Sequence, residues 1–454
     1  MTDQYLRSTT PDYISGAVYA CDGIKDSIVL INGPLGCKFF YGFSAGKCTP
    51  RASDLWNIRG ATGVSGAMSD TLLRSQYFTG SPHIPATNLR YEDFIFGTAE
   101  QLNRAVNDIL SLHTWSFLAV IQAPGTSLLG EALEPELAGT AGKAGVPFLY
   151  IEAPELSANM DIGYDRTVVS ILEKFRKKGS RSAARKRPSV NVFGLHRYRR
   201  HLEGDADELR RLLSLCGADV HCMVCSDCSL DELACLDDAD ANILLEPECC
   251  AETGRYLKEH SDLPLIDIGF IPVGPDLTEV FVRKICAALG TDPAEAAADI
   301  EQTRARIYYH TARWTAGRGF PQDICYTAEG EASLLYAFAD YLTGYLGLKP
   351  GALQVNYRKC PKNGLAKLEN LLKESGYPEA VSKDITAVNN AILLGSANTI
   401  AHVLLCNDNV FGIETMCPSS GFIDVVPKTY IGCRGALMLL EQVINGIRLL
   451  KAWE

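Results

Sequence analysis

Short β-branched runs alternate with stretches of helical periodicity along nearly the whole chain, and no other feature restricts the fold as much. Runs at 27–32, 117–122, 146–151, 190–195, 219–224, 241–245, 264–268, 391–394 and 402–405 read as strands. Between them, Leu102, Val106, Ile109 and Leu110 recur at helical spacing within 96–113. Leu209, Leu212 and Leu213 share one face within 205–215. Ser229 with Glu232 has the spacing of a capping box that opens a further helix. Strand–helix–strand alternation sustained over 454 residues predicts an α/β protein with parallel sheets covered by helices.

Charge and hydropathy exclude several classes. The net charge of −11 disfavours a nucleic-acid partner. No apolar run approaches the roughly 18 residues that a membrane span requires. Met1-Thr2-Asp3-Gln4 lacks the basic and apolar regions of a secretory signal, so a cytoplasmic protein is expected. One basic stretch, 174–187, carries eight Lys and Arg residues and ends at Pro188. It reads as a solvated linker between two units, or as a docking strip for an acidic partner. The phosphate-loop and dinucleotide fingerprints are absent, so the chain is not expected to bind ATP or a dinucleotide itself.

The sixteen cysteines are many for a reducing compartment. They are core thiols, redox groups or soft-metal ligands. Two sets stand out. In Gly33-Pro34-Leu35-Gly36-Cys37, directly after a strand, Gly33 and Gly36 allow close backbone approach. That turn places the Cys37 thiol at the C-terminal edge of a parallel sheet, where α/β proteins bind ligands. Cys21 and Cys48 lie upstream and downstream, and Lys38 and Lys47 would favour thiolates. The second set is Cys222-x-x-Cys225-x-x-Cys228 with Cys249 and Cys250, a spacing compatible with cluster or zinc ligation or with a core of free thiols.

Four segments carry a family resemblance. They are Gly23-Ile24-Lys25-Asp26 through the Cys37 turn, Asn88-Leu89-Arg90-Tyr91-Glu92-Asp93-Phe94-Ile95-Phe96-Gly97, Ala123-Pro124-Gly125-Thr126-Ser127-Leu128-Leu129-Gly130, and Pro427-Lys428-Thr429-Tyr430-Ile431-Gly432-Cys433-Arg434-Gly435-Ala436. In order and spacing they resemble the component 1 family of nitrogenase, with dark-operative protochlorophyllide reductase and the nickel-tetrapyrrole reductive cyclase among its relatives. The resemblance implies three Rossmann-like units around a central cavity. We place these at 1–187, 188–292 and 293–454, with the C-terminal helix packing back on the first.

It also implies an oxygen-sensitive oxidoreductase. A homodimeric ATP-dependent 4Fe-4S reductase would deliver low-potential electrons through an iron–sulfur cluster, either 4Fe-4S or a larger interface cluster, to a substrate in the cavity. The partner subunit would be a second copy, or a paralogue in a heterodimer or heterotetramer. Of the family's three interface cysteines only Cys37 matches; the other positions fall near Pro11–Asp12 and at Ala123, so Cys21 and Cys48 are the candidate replacements. The positions of the nitrogenase cofactor ligands fall at Glu246 and near Phe422, which argues against dinitrogen reduction. Cys222, Cys225, Cys228, Cys249 and Cys250 are then candidates for lining the cavity and holding a second metal cluster. No catalytic residue is assigned. A non-catalytic scaffold or carrier for cluster assembly is the alternative. If the second set holds a cluster, a C225A/C228A double variant loses iron and sulfide in anaerobic analysis; unchanged content rules that ligation out.

Overall fold

The computed structural model describes residues 11–38, 84–152, 158–179, 186–315, 323–355, 362–416 and 424–450. Three sheets, each parallel throughout, form the framework. The first has the order β1 (Ser27–Asn32), β2 (Phe117–Gln122), β3 (Phe148–Ile151). Its side chains divide by alternation. Val29, Ile31, Phe117, Ala119 and Ile121 enter one core, and Ile28, Leu30, Leu118 and Val120 the core on the opposite face. Both faces are covered, which is why these strands read as unbroken apolar runs.

The second sheet has the order β5 (Asp219–Met223), β4 (Ser189–Phe193), β6 (Ala241–Leu244), β7 (Leu265–Asp267). The third has the order β11 (Val410–Glu414), β10 (Ala391–Gly395), β8 (Cys325–Gly330), β9 (Lys349–Val355). One continuous apolar core joins the second and third sheets.

Two helices bind the first unit to the second. α1 (Tyr13–Asp22) crosses α6 (Met160–Phe175) where Gly16 and Gly163 remove any Cβ; one built at Gly16 would lie 1.9 Å from the Met160 carbonyl oxygen. α1 is opened by Asp12, whose carboxylate accepts from the Ser15 amide. At its other end Gly23 meets the loop after β5. Its carbonyl accepts from the Asp227 and Cys228 amides, and the Lys25 amide donates to the Cys228 carbonyl.

Several expectations need revision. The final helix, α15 (Gly432–Ile447), packs on α7 (Leu202–Leu215), α10 (Gly274–Leu289), α11 (Ala294–Thr315), β10 and β11, on the second and third units. Asp205 and Glu208 of α7 fix its entry by accepting from the Tyr430 and Arg434 amides. The run 402–405 is helical, within α14 (Ala397–Cys406), because Ser396 caps it and Ile400 and Val403 recur on the buried face. The basic stretch 174–187 is pinned where it is described: Arg176 makes two hydrogen bonds to Asp237 and Arg187 one to the Ser214 carbonyl.

Gly23 has φ −67°, which any residue can adopt, so only space demands glycine; a Cβ would lie 2.0 Å from the Cys225 carbonyl oxygen. Gly23→Ala is therefore expected to lower stability by at least the ~1–3 kcal/mol typical of overpacking. Gly36→Ala, which meets nothing within 4 Å, serves as the near-neutral control in the same thermal-denaturation series.

Candidate functional site

β1 ends at Asn32, whose side chain locks the sheet edge. Its amide nitrogen donates to Gln122 Oε1 at 2.8 Å, and its carbonyl oxygen accepts from Thr87 Oγ1 at 3.0 Å. Thr126 Oγ1 donates to the Asn32 main-chain oxygen at 2.9 Å. The next residue, Gly33, has no room for a side chain: its Cβ would sit 2.7 Å from Ala123 Cβ and 3.5 Å from Cys37 Sγ. Cys37 is half-buried within the 3₁₀ segment Leu35–Lys38, and burial together with the nearby Asp12 carboxylate pushes its thiol upward. Asp12, Cys37 and Ala123 thus gather at one corner. Cys48 lies outside the described residues.

The structure does not bring Cys21 to Cys37. Cys21 lies at the far end of α1 from Asp12, about 13 Å along the axis. It is fully buried, and that burial raises its thiol strongly. It belongs to the inter-unit seam with Cys225, which takes a left-handed conformation at φ +53°. Cys222, Cys225 and Cys228 pack into the same apolar cluster, with Cys228 drawn below the usual thiol range by hydrogen bonds from Cys222 and nearby amides. Cys249 lies 3.4 Å from Glu246 Oε2, and Cys250 Sγ lies 3.0 Å from where a Gly194 Cβ would be. Among the described residues no three Cys, His, Asp or Glu side chains converge in a metal-binding arrangement.

Where the second and third sheets end, acids from three segments meet. Asp161 opens α6, Glu246 and Glu248 follow β6, and Glu331 precedes α12 (Ala332–Ala339). Glu248 accepts from the Ser333 amide and hydroxyl at 2.9 and 2.6 Å. Glu246 pairs with Arg199. Burial first, then mutual repulsion, raises Asp161 to about 7 and Glu331 well above the carboxylate range.

The loop after β4, His196-Arg197-Tyr198-Arg199-Arg200-His201, supplies the countercharge. Arg197 pairs with Asp22 at 3.1 Å, Arg199 with Asp205 at 2.9 Å, and Arg200 with Glu414 at 3.1 Å. Tyr198 donates to Asp22 at 2.8 Å and stacks on Tyr19. His196, buried beside Arg199, is held neutral with its pKa lowered to about 3 by desolvation and that charge. Sequence reasoning missed this loop. Its signal was six consecutive basic or aromatic residues directly after a strand, too many for an ordinary buried turn.

The arrangement can be set beside known proteins. The sequence profile described as nitrogenase component 1 type oxidoreductase matches residues 13–448. The chain belongs to this family. Within it, a light-independent protochlorophyllide reductase subunit of Methylobacterium sp. (strain 4-46) is 26% identical over 313 residues, 68% of this chain and 59% of that protein. The nitrogenase iron-molybdenum cofactor biosynthesis protein NifE of Clostridium pasteurianum is 22% identical over 281 residues, 61% of this chain and 53% of that protein. The chain therefore spans little more than half the length of these two curated relatives. A solved structure described as "Nitrogenase Cp1 at pH 6.5" superposes with a TM-score of 0.72 at 15% identity, over 97% of this chain and 92% of that one, a likeness of fold. Among the described residues no helix is long and apolar enough to cross a membrane.

The acid cluster makes a pH prediction. The unfolded Asp161 ionises near pH 4 and the native one near 7, so the native state holds the extra proton between them. Stability thus falls as pH rises from about 4 to 7, and the penalty persists above. Asp161→Asn is expected to flatten that fall and to add roughly 2–4 kcal/mol at pH 7.5, measured by urea unfolding. A variant equally destabilised at pH 4.5 and at pH 7.5 contradicts this account.

Proposed function

We propose that this chain is a nitrogenase-like oxidoreductase subunit that receives low-potential electrons from an ATP-dependent 4Fe-4S reductase. They pass through an iron–sulfur cluster to a substrate held between the units. The observation that carries this reading is the Cys37 corner, a half-buried thiol beside a carboxylate at a sheet edge locked by Asn32, Thr87 and Gln122. When bound, the cluster would supply the one-electron chemistry. Cys37 would be its thiolate from this chain, with Asp12 a nearby oxygen donor, Cys48 the remaining sequence candidate, and further ligands from a partner subunit. Cys21, walled off in the seam, is not among them.

A partner at this corner is supported by exposed apolar side chains. Tyr91, Phe96 and Leu128 are all more than three-quarters exposed, and Gly125, three residues before Leu128, lies against Phe94. Such a partner would be a second copy or a paralogous component 1 subunit. The acid cluster fits a reduction that consumes protons, since raised carboxyls hold protons at neutral pH.

A second reading is favoured by one feature. Glu246, bound to Arg199, occupies the position where the family resemblance puts the nitrogenase cofactor's cysteine, and NifE is by name a cofactor biosynthesis protein. A chain of that kind would hold a metal cluster for delivery rather than catalyse.

Anaerobic purification tests both. The wild type is expected to be brown with iron and inorganic sulfide, and C37S to lose most of both while keeping its unfolding temperature. Reductase- and ATP-dependent reduction of protons or a small unsaturated probe supports the enzyme reading. Quantitative cluster transfer to an acceptor apoprotein without turnover supports the scaffold. A colourless wild type, or a C37S variant with full iron, refutes the cluster at Cys37.

A further inference from the structure

The end of the arginine loop meets the end of β11 in a polar nest that the reading of the Cys37 corner does not use. His201 stands immediately before α7 at φ +66°, a left-handed conformation rare for a residue with a side chain. Its side chain is 2% exposed, and Nδ1 lies 2.5 Å from Asp424 Oδ2. Among the described residues Nε2 has no hydrogen-bond partner. Asp424 also receives Arg200 at 3.0 Å and Lys428 at 3.3 Å. Although burial opposes ionisation, these partners hold its carboxyl below the usual range, with His201 the strongest of them. An ionised Asp424 can only accept, so Nδ1 carries a hydrogen, and Nε2 is left as the nitrogen at which a proton can be exchanged. The Tyr430 ring packs edge-on at 4.8 Å and its hydroxyl donates to the Glu414 carbonyl at 2.8 Å, fixing the imidazole from the α15 side. The hydroxyl of Thr415, next to Glu414, is likewise buried without a partner among the described residues.

We propose that His201, oriented by Asp424, is an acid–base residue whose Nε2 exchanges a proton with a small unsaturated molecule bound between the second and third units. This rests on the reductase-fed reading of the protein. When such a molecule takes up two electrons, delivered singly by the low-potential reductase, which is oxidised by one electron at each delivery, it gains two negative charges, one at each of two centres or one neutralised by each proton that follows. The Nε2–H of the imidazolium gives its proton to one such centre, forming the new C–H or N–H bond, and the imidazole returns neutral. The second proton, and the one that recharges His201, come from water. Asp424 is the positioning residue: it fixes the tautomer and stabilises the imidazolium. The charged and titratable groups packed around the pair are Arg200 from the loop, Asp205 of α7 through Thr429, Glu414 of β11, and Lys428 and Tyr430 before α15.

Two measurements on the full-length protein decide it. In ¹⁵N-histidine spectra, assigned with H201Q, His201 is expected to show a protonated Nδ1 and a bare Nε2 at pH 8. The reverse tautomer overturns the proposal whether or not the protein turns over. In anaerobic assays with reductase, ATP and acetylene as the probe, H201Q is expected to lower kcat by about 100-fold or more, with KM and iron content nearly unchanged. D424N is expected to shift the pH–rate profile. An H201Q variant with wild-type kcat overturns the proposal while leaving the reductase reading intact. A wild type that never turns over fails that reading, and the tautomer still judges the His201–Asp424 pair.

Discussion

The contact between Gly23 and the turn around Cys225 sets the geometry of the seam between the first and second units. A backbone-on-backbone approach this close is open only to glycine, and it aligns Ile24 with Cys228 as a parallel bridge. Beside it, Asp22 binds Arg197 and Tyr198, and Tyr198 stacks on Tyr19 at 4.0 Å. The end of α1 is thus fixed against the second sheet. α1 in turn fixes β1 and the Cys37 corner, because Asp12 sits at the helix's opposite end. A shift at the seam would move the corner with it.

The interior beyond the seam holds several buried acids and arginines, and the pattern explains itself through desolvation. Buried carboxylates are tolerated where arginines or amides answer them: Asp205 by Arg199 and Thr429, and Glu208 by Arg211 and the Arg434 amide. Where answering groups run short, at Asp161 and Glu331, the proton stays on instead. Such networks add little net stability against apolar packing, but each mismatch is costly. They therefore select one relative placement of the units over many others.

The architecture was legible because two-faced burial leaves a readable trace: a parallel strand covered on both sides is a plain apolar run, as 27–32 and 117–122 show. Three strands escaped. β8 contains Thr327 and Glu329, β9 contains Pro350 and Gly351, and β11 contains Gly412 and Glu414, all residues that dilute the apolar signal. The run 402–405 misled for the opposite reason, since a short apolar stretch has no period of its own until the cap at Ser396 is weighed. At the site, Cys37 was visible from its glycine turn. The separation of Cys21 from it was not, because distance along a helix and the face it presents are set by the fold. The arginine loop was missed since its meaning lies in partners far along the chain, such as Asp22, Glu414 and Asp424.

The seam also has a temporal side. Gly23 and Cys225 are about two hundred positions apart, yet the apolar face of α1, with Cys21, is completed only by residues from the loop after β5. Although α6 emerges earlier to cover part of it, a ribosome adding about 5–20 residues per second leaves the Cys21 end of that face uncovered for at least ten seconds or so before the loop after β5 emerges. During that interval the nascent first unit presents an unfinished surface with a reduced thiol on it. Completion of this seam therefore depends on the order of synthesis as well as on the packing of the finished fold.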